Sequence, residues 1–283
     1  MSVLTSPAPA SSNPTPAARR PEYKVTGRRV LRSEWAKLWS LRSTWITLGV
    51  GLLFLIAFGL IAAARYKSSV TSGRQLDPDF ADATGLTLSL FGVALAQLAL
   101  GVLGVLVTAG EYSTGMIRST LAAVPKRLPV LWSKVTVFGV VAFLIALIGA
   151  VVTFLIGSGI LSGTPAALTI SDSGVVRSLL GAAVYLGLVG VIGAALGALL
   201  RSIAGGISVL VAALMLVPGL ISLLPASWHN SIQPYLPSVA GESMFALHKA
   251  AHTLSPGAGF AVFGGWTVLL VAAAAWRLKR TDA

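Results

Sequence analysis

The chain contains no cysteine, which excludes disulfides, cysteine-zinc and iron–sulfur centres and haem-thiolate chemistry, and leaves the redox compartment undetermined. Charge is almost as scarce. Asp, Glu, Lys and Arg make up 11% of 283 residues, under half the roughly 25% of an average soluble domain. Only 9 of them are acids, against 21 bases, and hydrophobic residues reach 55%. So few polar groups cannot clothe a globular surface, so most soluble enzyme classes fall away. Catalytic signatures are missing too. No Gly-Lys pair occurs, so the chain has no G-x-x-x-x-G-K-[ST] phosphate loop, and G-x-S-x-G and H-E-x-x-H are also absent. No catalytic residue is expected, and the chain is read as no enzyme by itself.

What the sequence does hold is long apolar runs. Residues 44–64, 86–109, 135–158, 179–200, 203–224 and 259–276 contain no Asp, Glu, Lys or Arg. Each is near the roughly 20 residues that span a bilayer core of about 30 Å. Backbone groups in lipid must be satisfied internally, and continuous apolarity without alternation selects helices over barrel strands. The expected fold is an all-α integral membrane protein with six transmembrane helices between 44 and 276. Residues 1–27 hold five of the 14 prolines among Ala, Ser and Thr, which predicts a disordered tail; no apolar segment with a cleavage site marks a signal peptide. A short tail, 277–283, follows the last run.

The bases set the orientation, because short cytoplasmic loops are enriched in Lys and Arg. With six spans both termini share a side. That side holds eight bases up to Arg42, four in 110–134, Arg201, and three after the last run, which makes 16 of the 21. It holds four of the acids, so it carries the whole +12 and the opposite face balances to zero. A multi-pass plasma-membrane protein with cytoplasmic N- and C-termini is expected. The basic excess then reads as topology and contact with anionic membrane lipid, not as nucleic-acid binding.

Before the first span, the stretch within 28–43 reads RRVLRSEWAKLWSLR. At about 100° per residue, Leu31, Trp35, Leu38 and Trp39 fall within one arc, with Arg32, Ser33, Lys37 and Ser40 away from it. This predicts an amphipathic helix in the inner interface, its tryptophans at headgroup level and its bases facing anionic lipid. It reads either as a topogenic anchor or as an elbow coupled to the first span.

The 110–134 loop, GEYSTGMIRSTLAAVPKRLPVLWSK, looks ordered. Ser113 or Thr114 is placed to cap a short helix with Ile117 and Leu121 on one face, stopped by Pro125. Glu111 sits where the second span leaves the membrane. The loop reads as an ordinary capped helix or as a docking helix for a soluble partner.

On the opposite face, 225–258 is the largest loop and carries His229, His248 and His252. His248 and His252 have metal-ligand spacing for a helix, but with no third named ligand the solvated or interfacial reading is favoured and no metal is assigned. Within the spans, Gln97 is the single amide, read as an interhelical hydrogen bond before a substrate ligand. Gly193-x-x-x-Gly197 allows close helix approach. Pro218 is expected to kink the fifth helix.

Glu111-Tyr112-Ser113-Thr114-Gly115, followed by Ile117-Arg118, Thr120-Leu121 and Pro125, resembles the first cytoplasmic loop of ABC-2 type transporter permeases, and SEWAKLWSLRSTW (33–45) resembles the start of that family's actinobacterial members. Met116 departs from the small polar residue expected there. The resemblance implies the type V ABC exporter-like architecture: a permease that pairs with a second copy or a sister permease and binds two cytoplasmic ABC ATPase subunits. ATP and Mg²⁺ would then sit on the partner, with no cofactor bound directly. The segment matching 112–124 would be a coupling helix in a groove of the ATPase, with Glu111, Gly115, Ile117 and Arg118 as coupling positions. The family likeness also implies short helices in 225–258 dipping back into the outer leaflet. A self-contained secondary transporter or channel, or a membrane scaffold, is the alternative; no span holds the ionisable group that ion coupling usually needs.

Overall fold

A computed structural model describes residues 26–76, 80, 82–124 and 127–280. The expected disordered tail, apart from Thr26 and Gly27, and the stop at Pro125 lie outside the described residues. Among them every regular element is helical, and six helices are long and apolar enough to cross a membrane. The protein is an all-helical multi-pass membrane protein.

Helix α1 (Gly27–Ser40) leads through an extended Leu41 into α2 (Arg42–Thr71). The second crossing is in two pieces, α3 (Gly85–Ser89) and α4 (Val93–Ser113), where one helix was expected over 86–109. Thr84 and Thr87 close a reciprocal cap at the start of α3. The break at 90–92 puts Gly92 against the Phe54 and Leu55 carbonyls of α2, a spot with no room for a Cβ.

Beyond α4 come the short α5 (Met116–Ala123), α6 (Arg127–Leu161) and α7 (Val175–Leu200). At 35 residues, α6 is about 52 Å long, well beyond the bilayer core, so its first two turns extend the apolar run starting at 135 and carry Lys134. The fifth crossing is α8 (Ile203–Val211), a π turn over Ala212–Leu216 and α9 (Val217–Ile221). It ends three residues short of the expected 224. The widened turn lies directly ahead of Pro218, where a ring without an N–H disrupts the regular ladder toward the fourth residue before it. Then follow α10 (Ala226–Ile232), a 3-10 turn over Gln233–Tyr235, α11 (Pro237–Ser243) and the last crossing, α12 (Pro256–Arg280).

The centre of the bundle is the face shared by α4 and α7. A Cβ on Gly193 would collide with the Gly101 carbonyl, one on Gly104 with the Gly190 carbonyl, and one on Gly197 would meet the Val105 carbonyl at 2.8 Å. Backbone therefore lies on backbone, the close approach that small residues permit between membrane helices. Phe138 and Phe154 of α6, Tyr185 of α7 and Phe263 of α12 are fully buried around it. On the acid-balanced side α11 is drawn into the bundle: Gly241 lies on the Tyr185 ring, Gly259 of α12 under the Ala240 carbonyl, and Gly181 of α7 under that of Met244.

Candidate functional site

At the basic end of the bundle the structure gathers four ionisable side chains from three helices. α1 buries the stripe Val30, Glu34 and Leu38, one residue per turn, and with it a carboxylate that apolar packing alone would exclude. That carboxylate is shared. One oxygen of Glu34 accepts from Lys37 Nζ at 2.7 Å and the other from Lys134 Nζ at 2.7 Å. Glu111, from the last turn of α4, takes both lysines on a single oxygen, Lys37 at 3.0 Å and Lys134 at 2.8 Å.

Donors and charges balance. Lys134 places its three protons on Glu34, Glu111 and the Val107 carbonyl, the last at 3.4 Å; Lys37 places its own on Glu34, Glu111 and the Thr120 hydroxyl of α5 at 3.3 Å. Two ammonium groups face two carboxylates, so the desolvation of each is offset by the other kind. Glu34, Glu111 and Lys134 are nearly inaccessible, while the Lys37 side chain remains 26% exposed. Burial works against the Lys37 ammonium, but its hydrogen bonds and attraction to Glu34 and Glu111 prevail and hold its pKa above that of an ordinary lysine. Among the described residues the second oxygen of Glu111 has no hydrogen-bond partner.

The neighbouring residue turns the other way. The Tyr112 ring lies 5.1 Å from the guanidinium of Arg201, which ends α7 in a left-handed conformation with φ 53°. Arg277 of α12 donates to the Leu199 carbonyl in the last turn of α7. Glu111 and Tyr112 thus tie the end of α4 to α1 and α6 on one side and to α7 on the other.

Several expected placements change. Lys37 does not face outward with Arg32 but turns in to the two carboxylates, because the buried acids need compensation. Leu38 leaves the stripe expected with Leu31, Trp35 and Trp39 and packs inward; those three stay exposed, Trp35 stacked on Trp39 at 5.4 Å. Neither Ser113 nor Thr114 caps α5. Both hydroxyls donate back to the Gly110 carbonyl, at 3.0 and 2.8 Å, and α5 starts from Gly115 at φ 73°, a left-handed turn that glycine adopts without strain. The helix expected over 112–124 therefore covers 116–123, with Tyr112 and Ser113 belonging to α4. Ile117 is buried, Leu121 half-buried, and Met116 and Arg118 exposed.

Gln97, buried on α4, accepts from the Tyr185 hydroxyl of α7. Gly193 and Gly197 lie on the α4–α7 contact, and Pro218 follows the π turn. His248 and His252 lie in irregular chain, His252 at φ 58°, so no helical face aligns them, and among the described residues no group of three His, Cys, Asp or Glu could hold a metal. The short helices of 225–258 are present as α10 and α11.

Sequence pattern alone does not single out Glu34 and Lys134 as site residues. Signals existed: Glu34 interrupts the Val30–Leu38 stripe at helical spacing, and Lys134 abuts an uncharged run of 24 residues with no acid beside it. A scan against protein-family models matches none, and no curated protein matches the chain.

Proposed function

We propose that this chain is the membrane subunit of an ATP-driven exporter of the ABC-2 type, forming the translocation path in the plasma membrane with both termini cytoplasmic. ATP hydrolysis would occur on a separate cytoplasmic ABC ATPase, which would hold ATP and Mg²⁺; this chain binds neither directly. The observation that carries the proposal is the connection of α5 to the buried ion cluster. A short helix with an outward Arg118 reaches, through Thr120 and Lys37, carboxylates fixed to α1 and α4 and a lysine fixed to α6.

A push on α5 is passed to α1, α4 and α6 together, because the cluster cannot be pulled apart without leaving a buried charge unpaired. The close α4–α7 contact makes that pair move as one body. The weakly packed fifth crossing is the face available to a second copy or a sister permease, and the path would lie between the two subunits. Walls so apolar favour lipid-like, peptide or hydrophobic drug substrates.

The test is purification from native membranes in mild detergent with mass spectrometry of the accompanying soluble chain. A near-stoichiometric partner with a G-x-x-x-x-G-K-[ST] loop is expected. Arg118→Glu should then lower coupled ATPase activity by about fivefold or more, with insertion unchanged. Recovery of no such partner, by purification or by crosslinking from 112–124, would end the exporter reading.

A further inference from the structure

An apolar groove of about 670 Å³ opens on the outer surface of the bundle between α6 and α12, with α7 as its floor. Trp132 and Val140 of α6 form one wall, Val268, Ala272 and Trp276 of α12 the other, and Val191 lies beneath. The two walls run antiparallel, since α6 begins and α12 ends at the basic face. Lining residues extend from 128 to 140 on α6 and from 267 to 279 on α12, twelve steps each, or about 18 Å. Half of a roughly 30 Å hydrocarbon core is about 15 Å, so the groove matches one leaflet in length.

Its two ends differ. Inside, the polar liners are Thr136 and Thr267, and the Thr267 hydroxyl is already committed to the Phe263 carbonyl at 3.0 Å, so the channel suits a hydrocarbon chain. At the basic end Lys279 completes the lining and the Arg280 guanidinium lies 4.6 Å from the Trp276 ring. Trp132 and Trp276, 51% and 58% exposed, stand there at the depth where indoles meet headgroups. Among the described residues no acid lines the groove, so two copies paired through it would bring like charges together. An anionic headgroup complements them.

We propose that this groove is a binding site for an anionic phospholipid of the inner leaflet, with one acyl chain between α6 and α12 and the phosphate at Lys279 and Arg280. The assignment to the inner leaflet rests on the orientation proposed above.

The full chain, purified in mild detergent, is mixed with equal amounts of phosphatidylglycerol and phosphatidylcholine, and retained lipid is counted by native mass spectrometry. The wild type is expected to keep one phosphatidylglycerol in preference to phosphatidylcholine. Lys279→Ala with Arg280→Ala should reduce that preference about thirtyfold without abolishing lipid retention. Ala272→Trp, at an exposed position, should fill the groove and lose the lipid. Equal retention of both lipids by the wild type, or undiminished retention by Ala272→Trp, overturns the proposal. So does a wild-type dimer that Ala272→Trp splits, since the groove is then an interface between copies. In cells, Lys279→Cys in this cysteine-free chain should resist an impermeant maleimide applied outside; labelling overturns the inner-leaflet assignment. No ATPase is present in the retention assay, so its outcome is independent of the coupling reading.

Discussion

The fourth and fifth crossings are joined by two residues and are equally apolar, yet in an 18-residue apolar stretch of each, 78% of the residues of the fourth are buried and 17% of those of the fifth. Lipid attracts both equally. The difference is in side-chain size. α7 presents Gly193 and Gly197 to the backbone of α4 and Gly187 and Gly190 to α6, so both neighbours can lie close against it. The fifth crossing has Gly205 and Gly206 in its first turn and then presents Val209, Met215, Leu216 and Leu220, all exposed. Where apolar side chains gain nothing by leaving lipid for protein, association depends on packing contact, and small residues supply it. One crossing is therefore built as scaffold, and its neighbour keeps its apolar surface outward.

The largest expected effect comes from breaking the packed half where it carries charge. Lys134→Ala leaves Glu34 and Glu111 buried with only the partly exposed Lys37 to balance them, at a cost of about 3–5 kcal/mol. Detergent-solubilised thermal unfolding should show a large loss of stability, and an unchanged midpoint would mean that the ion cluster does not hold α1, α4 and α6 together.

A second test sets the two crossings against each other directly. Gly193→Val drives a side chain into the Gly101 carbonyl and should cost about 1–3 kcal/mol or more, while Gly219→Val in α9, where the added carbon meets no neighbouring element within 4 Å, should stay within about 0.5 kcal/mol. Equal effects in the same unfolding assay would remove the distinction between the crossings. The smallest loss expected on the α4–α7 contact is that of Tyr185→Phe, which deletes the bond to Gln97 and should cost about 0.6 kcal/mol, the average for hydrogen bonds between membrane helices. A loss several times larger would mark that pair as a keystone of the α4–α7 face.

How much was legible beforehand depends on which force acts. The six crossings are readable because each is a local matter of length and apolarity; a break inside one is not, as at 90–92, where α2 takes Gly92 against its backbone. The sequence places α5 but not its start. Ser113 and Thr114 have the right chemistry for a cap, yet the preceding helix claims their hydroxyls and Gly115 makes the turn. Of the ion cluster only Glu111 was singled out. Glu34 looked like one more polar residue on an interfacial helix, and Lys37 like an outward base, because the periodicity of α1 cannot tell which arc meets protein and which meets membrane.

The sequence by itself determined that this chain lives in a membrane, how many times it can cross, and which face is basic. Those properties follow from composition along short stretches, summed against a uniform solvent. Tertiary structure alone decided that Glu34, Lys37, Glu111 and Lys134, spread over a hundred residues, meet in one buried knot, and that α7 is enclosed while the fifth crossing is not. Desolvated charges and backbone contacts have meaning only between particular partners at a few ångströms, and that proximity is a property of the folded chain.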